Sequence, residues 1–404
     1  MGALAFLRRP DVFAALFTVF VAAGYLVRPN PTWAFPFYAL ILPLTLWLVW
    51  RERHGAGWLR DPALLLALAA AGWYALSILW SVDPLPGAAR KSASGWFTTS
   101  VFLLAGTAFF ATAPAVWLRR LMLAVPAAAV VNAVLSLTLF ALDDGGQTRL
   151  HGWAETRHPI LGANVMIFAG VLALPLLARD EPARVRLLAA AALVAVTVFV
   201  LATGSRGPTL AWGAVLTVYA VLAGSRALIA AVVAAGGLAA AVGLVVASGI
   251  APDSLPLPEV LRGLLAAAQD NLNRPSYRME IWSAAIGHGL ERPLIGRGIA
   301  ENGLFKQAYN FPHSLYVSAF YYTGVVGLAL VLALLATLAR RALRRAEGRL
   351  RALLAATLTL PAVAGLTDLG SIIRSPEENW YILWLPVVLV IGLTRRARQE
   401  DDLP

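Results

Sequence analysis

The sequence predicts an all-α polytopic membrane protein of about twelve transmembrane helices, and three observations carry that expectation. Hydrophobic residues make up 59% of the 404 positions and charged residues only 14%, too few charges to cover the surface of a soluble domain of this size. Apolar runs repeatedly reach the roughly 20 residues needed to cross a bilayer. Basic residues gather in alternate loops, as the positive-inside tendency requires. No loop is long enough for a conventional folded domain, so residues 1–404 are expected to form a single membrane domain. Cysteine is absent, which excludes disulfides and thiolate metal sites. The net charge of +11 would suit nucleic acid in a soluble protein, but here it reads as loop charge, and no nucleic-acid partner is expected.

Arg8 and Arg9 precede a first apolar run from Val12 to Val27. The small residues Ala22-Ala23-Gly24 imitate a cleavage site, yet the run is long for a signal peptide and many spans follow, so a retained helix is expected. Further spans read near 33–50, 62–80, 96–113, 121–141, 160–178, 187–203, 208–224, 228–248, 313–339, 352–370 and 379–394. With the N-terminus inside, the loops Arg51 to Arg60 and Arg340 to Arg351 and the tail after Leu393 carry most of the cytoplasmic charge. Both termini are therefore expected in the cytoplasm.

The remaining basic residues, Arg28 and Arg90 among them, fall on the outer side, where the rule makes them scarce. Head-group contact and ion pairs with Asp270, Glu280, Glu291 and Glu301 account for some. An anionic substrate handled at the outer face accounts for others, because guanidinium forks match phosphate oxygens.

Taken in order, the outer loops differ in what they offer. The loop Ser81 to Ser94 is punctuated by Asp83-Pro84-Leu85-Pro86, so it folds over the bundle or into a cavity, and it carries Arg90 and Lys91 as possible supporting cations. The loop Asp143 to Pro159 carries Asp143, Asp144, His151, Glu155, Arg157 and His158. Its carboxylates followed by Gly145-Gly146 read as a turn and its histidine spacing matches no compact metal motif, so no metal is expected and Arg157 is kept as a possible supporting residue.

The turn Gly204-Ser205-Arg206-Gly207-Pro208 joins the seventh and eighth spans. Pro208 suits the first turn of a helix, and the glycines let backbone approach a ligand, so the free N–H groups and the Arg206 side chain converge on one phosphate. A second reading stays open, in which Arg206 snorkels to the interface. The segment 249–312 is expected to be helical and to lie outside the membrane between spans 9 and 10. It opens with Pro252, Pro256 and Pro258, and then Leu257, Val260, Leu261, Leu264, Leu265 and Ala268 recur at the spacing of an amphipathic surface helix. A second helix follows Pro275, with Arg278 and Trp282 on one face. Pro293-Leu294-Ile295-Gly296-Arg297-Gly298 ends it and aims a glycine-bracketed arginine at the tenth span. His313 then stands at the start of that span, in Pro312-His313-Ser314-Leu315-Tyr316. A helix N-terminus disfavours imidazolium, which leaves a ring able to accept a proton.

These features together, with Tyr322-Thr323-Gly324-Val325-Val326-Gly327 after them, resemble the O-antigen ligase family over nearly the whole chain, with specific motifs between about Gly204 and Gly327. The family commonly has Asn after the histidine, where this chain has Ser314. The resemblance implies a GT-C-like, multi-pass protein of the bacterial inner membrane with its active site facing the periplasm. It also implies transfer of O-antigen polysaccharide from undecaprenyl diphosphate to a sugar hydroxyl of the lipid A-core, without metal or other cofactor, the contacts being the two glycolipids and membrane lipids. The residues support such chemistry: a departing lipid diphosphate needs positive charge, which Arg206, Arg278 and Arg297 supply, while His313 accepts the proton of the attacking hydroxyl in an inverting displacement. Asp368, a carboxylate on the eleventh span, is a possible partner for an arginine or for His313. An O-antigen polymerase shares the donor chemistry, whereas an O-oligosaccharyltransferase usually adds an outer domain after the last span, where this chain has only Thr394 to Pro404. A transporter reading rests on span number alone, with no matching pair of broken helices.

Overall fold

The computed structural model describes residues 10–27, 32–54, 56–84, 86–143, 149–248, 254, 256, 258–370 and 372–401, and among them there are helices and loops but no strands. Ten helices are long and apolar enough to cross a membrane. In chain order the helices are α1 (Pro10–Ala23), α2 (Ala34–Glu52), α3 (Pro62–Trp80), α4 (Ala88–Thr112), α5 (Ala115–Ala141), α6 (Pro159–Leu177), α7 (Ala183–Ala202), α8 (Arg206–Leu222) and α9 (Arg226–Ala247). Three shorter ones follow, α10 (Glu259–Asn273), α11 (Arg278–Gly289) and α12 (Leu304–Tyr309), and then α13 (Leu315–Arg344), α14 (Gly348–Thr367) and α15 (Trp380–Gln399). The expected first and eighth spans are present as α1, of 14 residues, and α8, of 17 residues; neither is among the ten. Arg8, Arg9, Arg28, Leu85, the Asp144 and Gly145-Gly146 turn, Pro252 and Leu257 lie outside the described residues.

Several helices start where the sequence places a cap. Asp61 precedes Pro62 and accepts from the N–H groups of Ala63 and Leu64, so it satisfies donors that the first turn of α3 leaves free. His158 does the same for α6, its Nδ1 accepting from Ile160 and Leu161, again with proline at the first helical position. The turn before α8 needs Gly204 at φ 55°, a conformation glycine adopts without steric cost.

α8 packs along α14, α4 along α15, α3 along α13, and α5 against α7 and α1. Aromatic rings fill the seam between α1, α4 and α15: Phe17 stacks on Phe109 at 4.7 Å and Phe102 on Trp380 at 4.1 Å between centroids. Buried Asn132 on α5 bonds outward to fix a loop, donating to Tyr25 O at 2.6 Å and Trp153 O at 2.9 Å while accepting from Thr156 Oγ1 at 3.0 Å. That network pins the segment 149–158 to the end of the bundle at which His313 lies. Segment 259–312 sits at the same end, and α9 touches only α8 and α10 among the stronger packing partners and has no buried residue.

Candidate active site

His313 occupies the turn between α12 and α13, and its own backbone is under constraint. Its φ is 51° and that of Asn310 is 64°, the left-handed region that costs a non-glycine residue about 1–3 kcal/mol unless its surroundings impose it. Here the end of α14 imposes it. Ser314 Oγ donates to Gly365 O at 3.1 Å, Tyr316 Oη donates to Ala362 O at 2.9 Å, and a side chain at Gly370 would collide with the Phe311 ring. Phe311 in turn packs on the imidazole, with ring centroids 3.9 Å apart.

Asp368 follows the last residue of α14 and is 3% exposed. Its Oδ1 lies 2.7 Å from Nδ1 of His313. A buried carboxylate in that position accepts the Nδ1 proton, fixes the ring's orientation and leaves Nε2 with the lone pair. His313 and Asp368 were proposed from different spans, 55 residues apart, and the fold joins them.

They border a cavity of ≈ 280 Å³ into which Arg149, Arg206, Arg274 and Arg278 also project, and Asp368 is the carboxylate among its described lining residues. Three of the four are held by backbone carbonyls of the site. Arg278 Nε donates to Thr367 O at 2.9 Å, at the end of α14, so that its two terminal nitrogens remain for the cavity. Arg206 spans two carbonyls at the end of α10, donating to Leu272 O at 3.3 Å and Arg274 O at 2.9 Å. Arg149 braces the turn before α8 through Thr203 O at 2.8 Å and Ser205 Oγ at 2.6 Å. Burial, and then the nearby charges of Arg274 and Arg278, lower the Arg149 pKa. Like charges crowded in this way favour a ligand carrying more than one negative charge.

Arg297 is placed elsewhere. It lies outside the cavity, paired with Glu291 and 3.7 Å from Glu301. Its loop has a different task, set by a break in α13 at Gly324, where φ is 67° and ψ is −166°. The break frees carbonyls and N–H groups of the helix, and the loop satisfies them one for one. Arg297 N donates to Tyr321 O at 2.9 Å and Gly298 N to Tyr322 O at 2.8 Å, while Val325 N donates to Pro293 O at 2.8 Å. Side chains at Gly296 or Gly324 would collide with the opposite backbone. The glycine-bracketed motif is thus a splice into a broken helix, and its arginine points to acidic neighbours instead of the His313 cavity.

Of the remaining candidates, Lys91 lines a second cavity of ≈ 530 Å³, whereas Arg90 and Arg157 line neither. Trp282 is on α11 with Arg278, and its Nε1 is buried with no hydrogen-bond partner among the described residues. Arg149, Arg274 and His158 also line the first cavity, although the sequence assigned none of them a role there. His158 lines both cavities, as does Asp368, and because its Nδ1 accepts from α6 its proton is on Nε2. The proline after His158 was the available signal, since it marks a cap that would point the ring at a helix start. Among the described residues no group of three or more His, Asp or Glu is arranged to hold a metal ion.

The O-antigen ligase family model matches residues 189–332, a stretch running from α7 into α13 that contains Arg206, Arg278 and His313 but not Asp368. A curated O-antigen ligase of Pseudomonas aeruginosa is 26% identical over 380 residues, which cover 90% of this chain and 85% of that protein.

Proposed function

We propose, from the match of residues 189–332 to the O-antigen ligase family and the likeness to a curated O-antigen ligase along 90% of the chain, that this protein transfers a glycan from a polyprenyl diphosphate, undecaprenyl diphosphate in a bacterial inner membrane, to a sugar hydroxyl of the lipid A-core on the periplasmic side. A glycosyltransferase of this type breaks the bond between the anomeric carbon and the diphosphate oxygen and forms one to the acceptor oxygen. Nε2 of His313 takes the hydroxyl proton as that oxygen attacks from the face opposite the leaving group, so configuration inverts. The diphosphate departs with added negative charge, which Arg206, Arg278, Arg274 and Arg149 meet without a metal ion.

One observation carries this reading: a histidine oriented by a buried carboxylate at 2.7 Å borders the same cavity as four arginines. A base beside a dense anion site is what displacement of a diphosphate requires, and neither half alone would suggest it. The experiment is transfer of labelled glycan from lipid diphosphate to purified lipid A-core in reconstituted membranes, with and without a chelator. His313→Ala is expected to lower the rate about 10²–10⁴-fold with donor binding retained, and chelation is expected to leave the rate unchanged. Near-normal turnover in His313→Ala, or inhibition by chelator reversed by Mg²⁺, overturns the mechanism. Extension of a second donor glycan in place of lipid A-core would assign the polymerase reaction instead.

A further inference from the structure

At the start of α6, His158 is polarised by the helix it caps. Its Nδ1 accepts from Ile160 N at 3.3 Å and from Leu161 N at 3.2 Å. A nitrogen that accepts N–H groups cannot carry a proton, so the ring is uncharged and its one proton is on Nε2. That N–H makes no hydrogen bond to any described residue, and His158 is exposed on the wall of the cavity that holds the four arginines. His313, on the same cavity, is wired the other way, because Asp368 takes its Nδ1 proton and Nε2 becomes the acceptor. Two imidazoles of one site thus present opposite polarity at Nε2.

The histidine is also held in place. Its carbonyl accepts from Gly162 N at 2.7 Å, and the Thr156 carbonyl packs so closely on Gly162 that a side chain there would collide with it. Thr156 is bound in turn to Asn132 at 3.0 Å. The next residue ties His158 to the arginines. Ser205 Oγ donates to Pro159 O at 3.3 Å and accepts from Arg149 Nη2 at 2.6 Å, and Arg206 follows Ser205 in the chain.

We propose that His158 is a further catalytic residue, whose Nε2–H donates to a phosphate oxygen of the leaving diphosphate. The role rests on the transfer reaction proposed above. As the bond between anomeric carbon and diphosphate oxygen breaks, its electron pair goes to the phosphate and the hydroxyl proton goes to Nε2 of His313. His158 keeps its own proton, and its hydrogen bond strengthens with the growing charge. An uncharged donor has a use here that a fifth cation lacks. Arg149 already bears the repulsion of Arg274 and Arg278, and imidazole adds a hydrogen bond to the diphosphate without adding to that repulsion.

The test must part donation from capping. Asparagine caps a helix well and places its carbonyl oxygen where Nδ1 stands, but it has no atom at the position of Nε2; alanine supplies neither. In full-length protein in nanodiscs, His158→Asn should melt with the wild type, turn over about 10²-fold more slowly and change donor KM by less than about threefold. His158→Ala should show the same rate loss and a lower melting temperature. Free undecaprenyl diphosphate, the product with its full negative charge, allows a measurement that needs no transfer. By calorimetry His158→Asn should bind it about tenfold more weakly than wild type. Wild-type turnover in His158→Asn, or a rate loss confined to His158→Ala, would make the histidine a cap only and overturn the assignment. So would equal affinity of wild type and His158→Asn for undecaprenyl diphosphate. A wild type that binds undecaprenyl diphosphate more tightly than His158→Asn yet transfers no glycan counts against the transfer reading instead, so the two failures are distinguishable.

Discussion

At the far end of α13, Arg341 NH1 lies 2.7 and 3.0 Å from the two oxygens of Asp61, and Asp61 also caps α3. Both groups are buried and each is the other's principal partner. At the near end of the same helix His313 meets Asp368 at an equal distance, yet the ring keeps 30% of its side chain accessible and four arginines crowd beside it against that single carboxylate. The first arrangement is complete within the protein. The second has an excess of positive charge that the chain does not neutralise. Two charged pairs of similar geometry thus serve different ends, and what distinguishes them is the charge left over in the surroundings.

Asp368→Asn is the sharpest way to break the comparison. Asparagine keeps the volume but removes the carboxylate that orients the ring and stabilises its protonated form, so transfer should fall about 10²–10⁴-fold. The melting temperature should hardly move, and adding His313→Ala should cost little more, because the two act as one unit. Equal losses of activity and stability would make Asp368 a structural residue. Arg341→Ala should do the reverse: leaving Asp61 buried and unpaired should lower stability by about 3–5 kcal/mol, while the activity of whatever folds is preserved. Denaturation in detergent followed by rate per folded protein separates the two. Recovery of stability in an Arg341→Met/Asp61→Leu double variant would confirm that the pair is replaceable by packing.

The contrast also explains which parts of the molecule were legible in the sequence. Hydropathy gave the membrane class and the approximate positions of the spans, because a bilayer imposes length and composition on each helix independently of its neighbours. Arg206 and Arg278, which both line the cavity, could be singled out because each lies in a turn or helix with a local signature. Arg149 and Arg274 could be read only as basic residues of the outer loops, since neither stands in a motif and only the fold brings them to the cavity from segments far apart. Arg297 is the opposite case, a residue with a local signature that does not line the cavity. Its flanking glycines are a strong local signal, but what they serve is the broken backbone at Gly324, a feature that becomes visible only when the two segments are paired. The short α12 went unread for a related reason: six residues give too few turns for periodicity to register.

The smallest expected effect concerns Arg206, and it tests whether charge alone fills the cavity. The notion that this arginine merely snorkels to the interface predicts a guanidinium in solvent, whereas its two terminal nitrogens each donate to a carbonyl at the end of α10. Those carbonyls are also where the helix leaves acceptors unsatisfied, so Arg206 fastens α10 over the cavity as well as bringing charge to it. A lysine has one nitrogen and cannot span Leu272 and Arg274 together, nor fork two phosphate oxygens. Arg206→Lys should therefore lose about tenfold in transfer at limiting donor, with donor KM raised more than acceptor KM. Faster hydrogen exchange at the N–H groups of Asn271 to Arg274 should accompany the loss, because the end of α10 is released. Wild-type donor KM together with unaltered exchange would mean that Arg206 contributes only its charge, and would leave the anion site to Arg149, Arg274 and Arg278.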